Sequence, residues 1–330
     1  MTTLIPGSQG PQTMAGRMTA TGQQSGCANC AQVEEPDIRL ALANLSRKYT
    51  ELSEVMIRYM SEAGLERDER TANALSLADE LARITNGKKT QPGAYPDCAL
   101  IGQKYPNDTF WWYCTGVLVH PRVILSAAHC QNPPAGRDIN YVALNAVDFG
   151  NLSKAELIGV RRVVVNPLYT QGIRGHDITV LVLRKNASVD PIPLAKKEDI
   201  TAAEKTTLVG FGNDDLNSTR GFGTQREVTV DITHLRRTSE DDLDDDEQDL
   251  GFESDREFVA GGGGYDSCNG DSGGPAYISA DGGRKVAGLT SRATQGATKP
   301  CGEGGIYTRV DTQRNFINKV LQDAGIQDQL

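Results

Sequence analysis

The part of the chain that most restricts its fold is a succession of short β-rich runs, separated by turn signals, between residues 98 and 309. Each run has three to six residues, which is the length of a strand and too short for a helix. Many short strands at this spacing predict an all-β barrel or sandwich, and the 35 glycines agree with a chain rich in turns. The predicted strands are Cys98–Ile101, Thr115–Val119, Val123–Ser126, Val142–Leu144, Val160–Val165, Thr179–Leu183, Thr206–Phe211, Glu227–Ile232, Ala276–Ile278, Val286–Thr290 and Gly305–Arg309.

Helical spacing of apolar residues occurs at the two ends of the chain. Residues 37–62 and 66–82 predict two helices, which could form a hairpin, and Thr312–Ala324 predicts a helix with Phe316, Ile317, Val320 and Leu321 on its apolar face. Residues 1–35 are rich in Gly, Gln, Thr and Ser and predict a disordered tail.

The sequence has no run of 18 apolar residues, so we expect no membrane span. It also has no basic start followed by an apolar stretch, so we expect no secretory leader. By that evidence the expected location is cytoplasmic.

The formal net charge of −9 argues against nucleic acid as a partner. Residues 239–257, here called the acidic segment, hold eleven Asp and Glu residues and one Arg, so the segment carries −10 and the remainder about +1. We expect a solvated, mobile loop. A calcium site is the alternative, although the EF-hand spacing is absent.

Three stretches bring together residue types that support nucleophilic catalysis. They contain His129 in Ser-Ala-Ala-His-Cys, Asp177 in His-Asp-Ile-Thr-Val-Leu, and Ser272 in Gly-Asp-Ser-Gly-Gly-Pro. A serine hydroxyl needs a base to take its proton, and that base needs a third group to hold its tautomer. The sequence therefore predicts a Ser-His-Asp set.

With Cys-Thr-Gly-Val-Leu-Val at Cys114–Val119, these motifs resemble those of the trypsin-like serine proteases of the chymotrypsin fold, and the resemblance covers residues 84–330, about three quarters of the chain. It implies two antiparallel six-stranded β-barrels with a C-terminal helix. It also implies Ser272 as nucleophile, His129 as general base, Asp177 as orienting carboxylate, and the amides of Gly270 and Ser272 as oxyanion donors. No cofactor is expected.

The resemblance implies disulfides between Cys114 and Cys130 and between Cys268 and Cys301. The seven cysteines then leave Cys27, Cys30 and Cys98. A zinc site at Cys27-x-x-Cys30 is disfavoured because no second ligand pair lies nearby, and a bridge from this pair to Cys98 is an alternative. Disulfides are typical of secreted or periplasmic proteins, whereas the lack of a recognisable leader points to the cytoplasm. The two observations disagree, so the location stays open.

The resemblance also implies a primary specificity pocket. Asp266 would form its base and select Arg or Lys, while Ser291 and Gly305 would line it. The chain departs from the family at Arg292 and Ala293, where Trp and Gly are usual. An arginine there is expected to make the wall polar and to favour acidic residues along the substrate.

The junction Arg83–Ile84 resembles an activation site. Cleavage would expose the Ile84 amino group, which would pair with Asp271, so residues 1–83 are expected to be a prosegment or regulatory region and residues 84–330 the protease domain. The alternative is that Arg83 ends a helix, where a cation suits the dipole.

The leading hypothesis is thus a zymogen of an endopeptidase that cleaves after Arg or Lys. Its expected partners are protein or peptide substrates and an activating protease or regulator of residues 1–83, with neither nucleic acid nor membrane. Two alternatives remain: an intracellular protease switched by a partner at the N-terminal region, and a catalytically inactive homologue that acts as a binding protein.

Overall fold

The computed structural model describes residues 87–131, 138–170, 174–214, 221–239, 241 and 243–330. The tail and the two helices expected within residues 1–82, the residues Arg83 and Ile84, and the pair Cys27 and Cys30 lie outside the described residues. None of the described helices is long and apolar enough to cross a membrane.

Six antiparallel strands close into a first β-barrel, in the order β2-β3-β4-β7-β6-β5. Most of their residues are buried, and β7 is buried along its whole length. Because the sheet is closed, it has no unpaired strand edge, and the inward-facing side chains fill its interior. The strands are β2 (Cys98–Lys104), β3 (Phe110–His120), β4 (Val123–Ser126), β5 (Tyr141–Leu144), β6 (Glu156–Val165) and β7 (Thr179–Leu183).

Six further strands close a second barrel, because β8 pairs with both β9 and β11 in the order β9-β10-β13-β12-β11-β8. A short strand, β1 (Lys88–Lys89), extends this sheet by pairing with β9. In β9 buried and more exposed residues alternate, as expected for a strand with one face on the core. The strands are β8 (Lys205–Gly210), β9 (Arg226–His234), β10 (Glu257–Ala260), β11 (Pro275–Ala280), β12 (Gly283–Ala293) and β13 (Gly305–Arg309). The expected pair of six-stranded barrels is confirmed.

Among the described residues, three α-helices lie outside the barrels: α1 (Lys197–Ala202), α2 (Asp244–Leu250) and α3 (Arg314–Asp323). Short 3₁₀ turns cover Ala128–Gln131 and Asp311–Gln313. The C-terminal helix α3 buries Ile317, Val320 and Leu321, in agreement with its predicted apolar face.

The acidic segment is more ordered than the mobile loop that its composition predicts. Four acidic residues stand in the first turn of α2, where negative charge suits the helix dipole, and Gly251 ends the helix in the left-handed conformation at φ 76°. Arg236 lies 3.6 Å from Glu247 and 3.3 Å from Asp255, so it links the middle of the segment to its C-terminal part.

Candidate active site

Strand pairing explains how His129 and Asp177 meet. Strands β4 and β7 are antiparallel, with Ser126 opposite Thr179. The residues that follow β4 and those that precede β7 therefore emerge at the same end of the first barrel. His129 lies in the 3₁₀ turn after β4, and Asp177 lies two residues before β7.

Two hydrogen bonds join His129 to the Asp177 carboxylate, one from the ring and one from the backbone amide. Nδ1 of His129 is 2.8 Å from Oδ2 of Asp177, and the His129 amide donates to Oδ1 at 2.9 Å. Because Nδ1 faces the carboxylate, the remaining ring nitrogen, Nε2, is the one available to a substrate or nucleophile.

Asp177 is only 5% exposed, yet its pKa is lowered. Burial raises its pKa, but hydrogen bonds from His129 and from the Ser291 hydroxyl outweigh burial and hold the pKa below its usual value. The Ser291 hydroxyl donates to Oδ2 at 2.6 Å. The register of β12 shifts between Thr290 and Arg292, and such a bulge re-aims the residue within it, here Ser291.

The loop that carries Ser272 packs against the residues that precede His129. The Thr115 amide of β3 donates to the Ser272 carbonyl at 2.9 Å. A Cβ atom on Gly273 would lie 2.1 Å from Ser126 Oγ and 2.5 Å from the Ala127 nitrogen, so only glycine permits this approach.

The Ser272 hydroxyl and the His129 ring share no hydrogen bond in the described part of the chain. Ligand-free enzymes commonly keep such catalytic contacts long until substrate binds. The backbone contacts place the two residues on adjoining segments.

The amides around Ser272 fall into two groups. Those of Asp271, Gly273 and Gly274 donate to backbone carbonyls. Over the described residues, the amides of Gly270 and Ser272 donate to no acceptor. The positive φ of 99° at Gly270 sets the turn between them. Two free donors beside a serine form an arrangement that can stabilise an oxyanion.

Both disulfides that the resemblance implies are present. Cys114 is joined to Cys130 and Cys268 to Cys301. The sulfur atoms of the first bridge and one His129 ring nitrogen lie within 4.8 Å of one another, so this bridge lies against the histidine. A metal cannot use these sulfurs as thiolates while they are bonded to each other.

Cys98 is a fully buried free thiol among the described residues, and Cys27 and Cys30, the partners of the alternative bridge, lie outside them.

Asp266 is 2% exposed at the start of the serine loop. Its Oδ1 accepts hydrogen bonds from the Ser267 amide at 2.6 Å and the Tyr307 hydroxyl at 3.1 Å. Burial raises its pKa to about 6 against these hydrogen bonds. A Cβ atom on Gly305 would lie 2.7 Å from Asp266 Oδ1, so the predicted pocket residues Asp266 and Gly305 are neighbours. The third predicted pocket residue, Ser291, has its hydroxyl on Asp177.

Asp271 is buried behind the serine loop. Its two carboxylate oxygens accept from the amides of Gly212 at 2.7 Å and Cys268 at 2.8 Å. Burial raises its pKa to about 7, and the positive charge of Arg226 opposes that rise. Its expected partner, the Ile84 amino group, lies outside the described residues.

Sequence reasoning missed Glu257, the partner of Arg292. The Arg292 guanidinium contacts both Glu257 carboxylate oxygens, at 2.7 and 2.9 Å, and also donates to the Gly251 carbonyl. Its charge is therefore paired with Glu257, whereas the expectation was that it is offered to acidic substrate residues. Nothing in the sequence indicated that Glu257 is buried, because the acidic segment that it ends is typical of a solvated loop.

Comparison with known proteins gives consistent results. Residues 84–317 match the family model described as Trypsin. A protein named trypsin from Saccharopolyspora erythraea is 32% identical over 219 residues, which cover 65% of this chain and 89% of that protein. Tryptase from Mus musculus is 30% identical over 269 residues, or 74% and 94% of the two chains. Phenoloxidase-activating factor 1 from Holotrichia diomphalia is 29% identical over 284 residues, or 76% and 73%.

Proposed function

Because the chain belongs to the trypsin family of serine proteases, we propose that it is an endopeptidase that cleaves after Arg or Lys and is made as a zymogen. The observation that carries the proposal is the buried Asp177 carboxylate, which binds the His129 ring at 2.8 Å on the segment that packs against the Ser272 loop. Protein or peptide chains are the substrates.

In the proposed reaction His129 Nε2 takes the proton of the Ser272 hydroxyl while Oγ attacks the scissile carbonyl carbon. Asp177 keeps the proton on Nδ1 and stabilises the imidazolium that forms, without itself taking the proton. The imidazolium then gives its proton to the leaving amine, and water repeats the sequence to release the acyl group. The free amides of Gly270 and Ser272 support the role of oxyanion donors, each of which contributes roughly 2.7–4 kcal/mol in such sites.

The preference for Arg or Lys rests on Asp266. A carboxylate that is 2% exposed gains from a cation that replaces its lost water. Gly305 supports this role because any larger residue would collide with the carboxylate oxygen. The Tyr307 hydroxyl and the Ser267 amide hold Oδ1 from one side.

Activation is proposed to follow cleavage between Arg83 and Ile84, which separates a prosegment or regulatory region, residues 1–83, from the protease domain, residues 84–330. The new Ile84 ammonium group would pair with Asp271, only one residue from each proposed oxyanion donor. The raised pKa of Asp271, about 7, supports the need for a cation at this buried carboxyl group.

The test combines an active-site label with a substrate map. The full chain, before and after cleavage at Arg83, is treated with a serine-reactive phosphonate bearing an arginine-like group and is then given a peptide library. We expect labelling of Ser272 and cuts after Arg or Lys, both only after cleavage. Labelling lost in Ser272→Ala but kept in Ser279→Ala, at an exposed position of β11, would place the reaction at Ser272. A cleaved chain that is folded yet neither labels nor cuts would refute proteolysis and favour a binding protein.

A further inference from the structure

Glu257 gathers hydrogen bonds from three separate stretches of the chain. Its side chain is 0% exposed. One oxygen accepts from the Gly175 amide at 3.0 Å and from Arg292 at 2.7 Å. The other accepts from the Glu253 amide and from Arg292, each at 2.9 Å. The four donors saturate the carboxylate, which makes a buried charge tolerable here.

Two of these stretches are the ones that hold Asp177. Gly175 lies two residues before it, at φ 91°, and a Cβ atom there would lie 2.2 Å from Glu253 Oε2. On the other side Arg292 follows Ser291, whose hydroxyl donates to Asp177 at 2.6 Å. Glu257 therefore binds the backbone before Asp177 and the residue next to its hydroxyl donor.

Arg292 also bears on that donor directly. Its Nη1 atom donates to Ser291 Oγ at 3.2 Å. A hydroxyl has one proton, so a Ser291 oxygen that accepts from Arg292 keeps its own proton for Asp177. A cationic donor also polarises the hydroxyl and strengthens the bond that it gives.

We propose that Glu257 and Arg292 are positioning residues for the Asp177 carboxylate, acting through the Gly175 amide and the Ser291 hydroxyl, and that they thereby couple the acidic segment to the triad. This inference rests on the proposed proteolytic function. It gives a role to the departure from the usual Trp at position 292.

The charges around the pair set the direction of the expected pH effects. Tyr169 faces both Asp177 and Arg292, and burial, followed by Asp177, raises its pKa. His176 faces Arg256 and Glu257, and burial, followed by Arg256, lowers its pKa. Asp177 faces His129, and Glu257 and Arg292 together carry no net charge.

Removal of one partner unbalances this set. Glu257→Gln leaves the Arg292 cation unpaired beside the Ser291–Asp177 bond, which disfavours further positive charge there and is expected to move the acidic limb of the kcat/KM profile to lower pH. Arg292→Met leaves the Glu257 carboxylate, which moves the same limb to higher pH. The double variant restores its position. Because a misplacement of about 1 Å can cost 10²-fold, kcat in each single variant is expected to fall by about that factor with a smaller change in KM.

A matched control is available on the same strand. Arg284 of β12 pairs with buried Asp97, and its side chain is 30% exposed against 34% for Arg292. Arg284→Met removes an equivalent ion pair far along the strand from Ser291. It is expected to lower the melting temperature without changing kcat or the acidic limb.

The experiment measures melting, kcat, KM, the pH profile and the proton resonance of His129 Nδ1–H in the cleaved full chain and its variants. Opposite limb shifts in the two single variants, with an unmoved limb in the control, support the proposal. Folded single variants that keep the parental kcat within about twofold and the parental limb would overturn it, as would a control that shifts the limb equally.

The resonance separates this inference from the proposed function, because it reports the His129–Asp177 bond without turnover. If the parental chain proves inactive, a resonance changed in Glu257→Gln and Arg292→Met but not in Arg284→Met still supports positioning. A resonance that is the same in all four proteins overturns it.

Discussion

Asp177 and Asp266 are both almost completely buried, at 5% and 2% exposure, yet their pKa values move in opposite directions. Asp177 receives donors from His129 and Ser291 on both oxygens, which outweigh burial and lower its pKa. Asp266 receives neutral donors, among them the Ser267 amide and the Tyr307 hydroxyl, and burial outweighs them and raises its pKa to about 6. The first suits a carboxylate that stays charged throughout a reaction, the second a carboxylate that gains from a cationic ligand.

Asp177→Asn tests the first role. An amide cannot accept at both former oxygens, so the His129 ring loses the partner that fixes its tautomer. We expect kcat to fall by about 10⁴-fold at neutral pH with little loss of fold. Steady-state kinetics and circular dichroism check this, and a fall below tenfold in a folded protein would contradict the assigned role.

Asp266 predicts a pH dependence of ligand binding. The carboxyl group binds an amidinium only when ionised, so its proton competes with the ligand below the pKa of about 6. The affinity for benzamidine is expected to level off above that pH and to fall about tenfold per pH unit below it. Calorimetry measures it, and Asp266→Asn is expected to weaken binding by about 2–5 kcal/mol and to remove this dependence. An unchanged Kd between pH 5 and 8 would count against the pocket.

Individual elements show why the serine loop keeps its shape. The Cys268–Cys301 bridge joins the loop between Asp266 and Ser272 to the segment that leads into β13. That strand carries Gly305 and Tyr307, which contact Asp266, so the bridge and the pocket share the same two segments.

Replacement of both Cys268 and Cys301 by Ala tests this element. The loss of a bridge of this size costs about 2–4 kcal/mol, and we expect a lower melting temperature and a higher KM for arginine substrates. The matched removal of Cys114 and Cys130 is expected to lower stability and affect kcat more than KM, since that bridge lies against His129. Calorimetric melting and kinetics distinguish them, and the reverse pattern would show that the bridges do not support these separate parts.

The same elements show what the sequence could and could not predict. Strand β13 was predicted with its observed bounds because Ile306, Tyr307 and Thr308 are strand-favouring residues in a short run that follows a turn signal. Strand β10 was missed because it begins at Glu257, which is read as part of the acidic run, whereas its burial depends on donors from distant residues such as Gly175 and Arg292. Motifs could identify Asp177 and Ser272, whereas an ion pair between residues 35 positions apart leaves no local pattern.

At the scale of the whole molecule, the proposed activation depends on a buried carboxyl group behind the catalytic loop. Asp271, with a pKa of about 7, is largely protonated in mildly acidic solution when no ammonium group accompanies it. Its pairing with the Ile84 amino group would make it ionise and release a proton.

A pH-dependent stabilisation by cleavage follows from this proton release. In the folded cleaved chain the paired Asp271 is ionised above its lowered pKa, whereas in the folded uncut chain it stays protonated up to about pH 7. In that pH range the folded cleaved chain therefore binds one proton fewer, and its stability relative to the uncut chain rises with pH. Above about pH 7 the difference levels off. It falls again once the amino group loses its charge, above its reference pKa of about 8. Melting temperatures of both forms from pH 5 to 10 check this, with Asp271→Asn as the control expected to show no such rise. Parallel curves for the two forms would contradict the pairing.

The two ends of the described chain cross over to opposite halves. Strand β1 pairs with β9 of the second barrel. At the other end, Gln313, just before α3, accepts a hydrogen bond from Asn166, just after β6 of the first barrel, at 3.0 Å, and α3 buries Ile317 in a cluster that includes Val119 and Val182 of that barrel. The strand that precedes the first barrel in the chain thus pairs with the second barrel, and the helix that follows the second barrel contacts the first. Cleavage of the connection between the two barrels should therefore leave two fragments that stay associated and unfold in one transition. Neither fragment expressed alone would have a complete hydrophobic core.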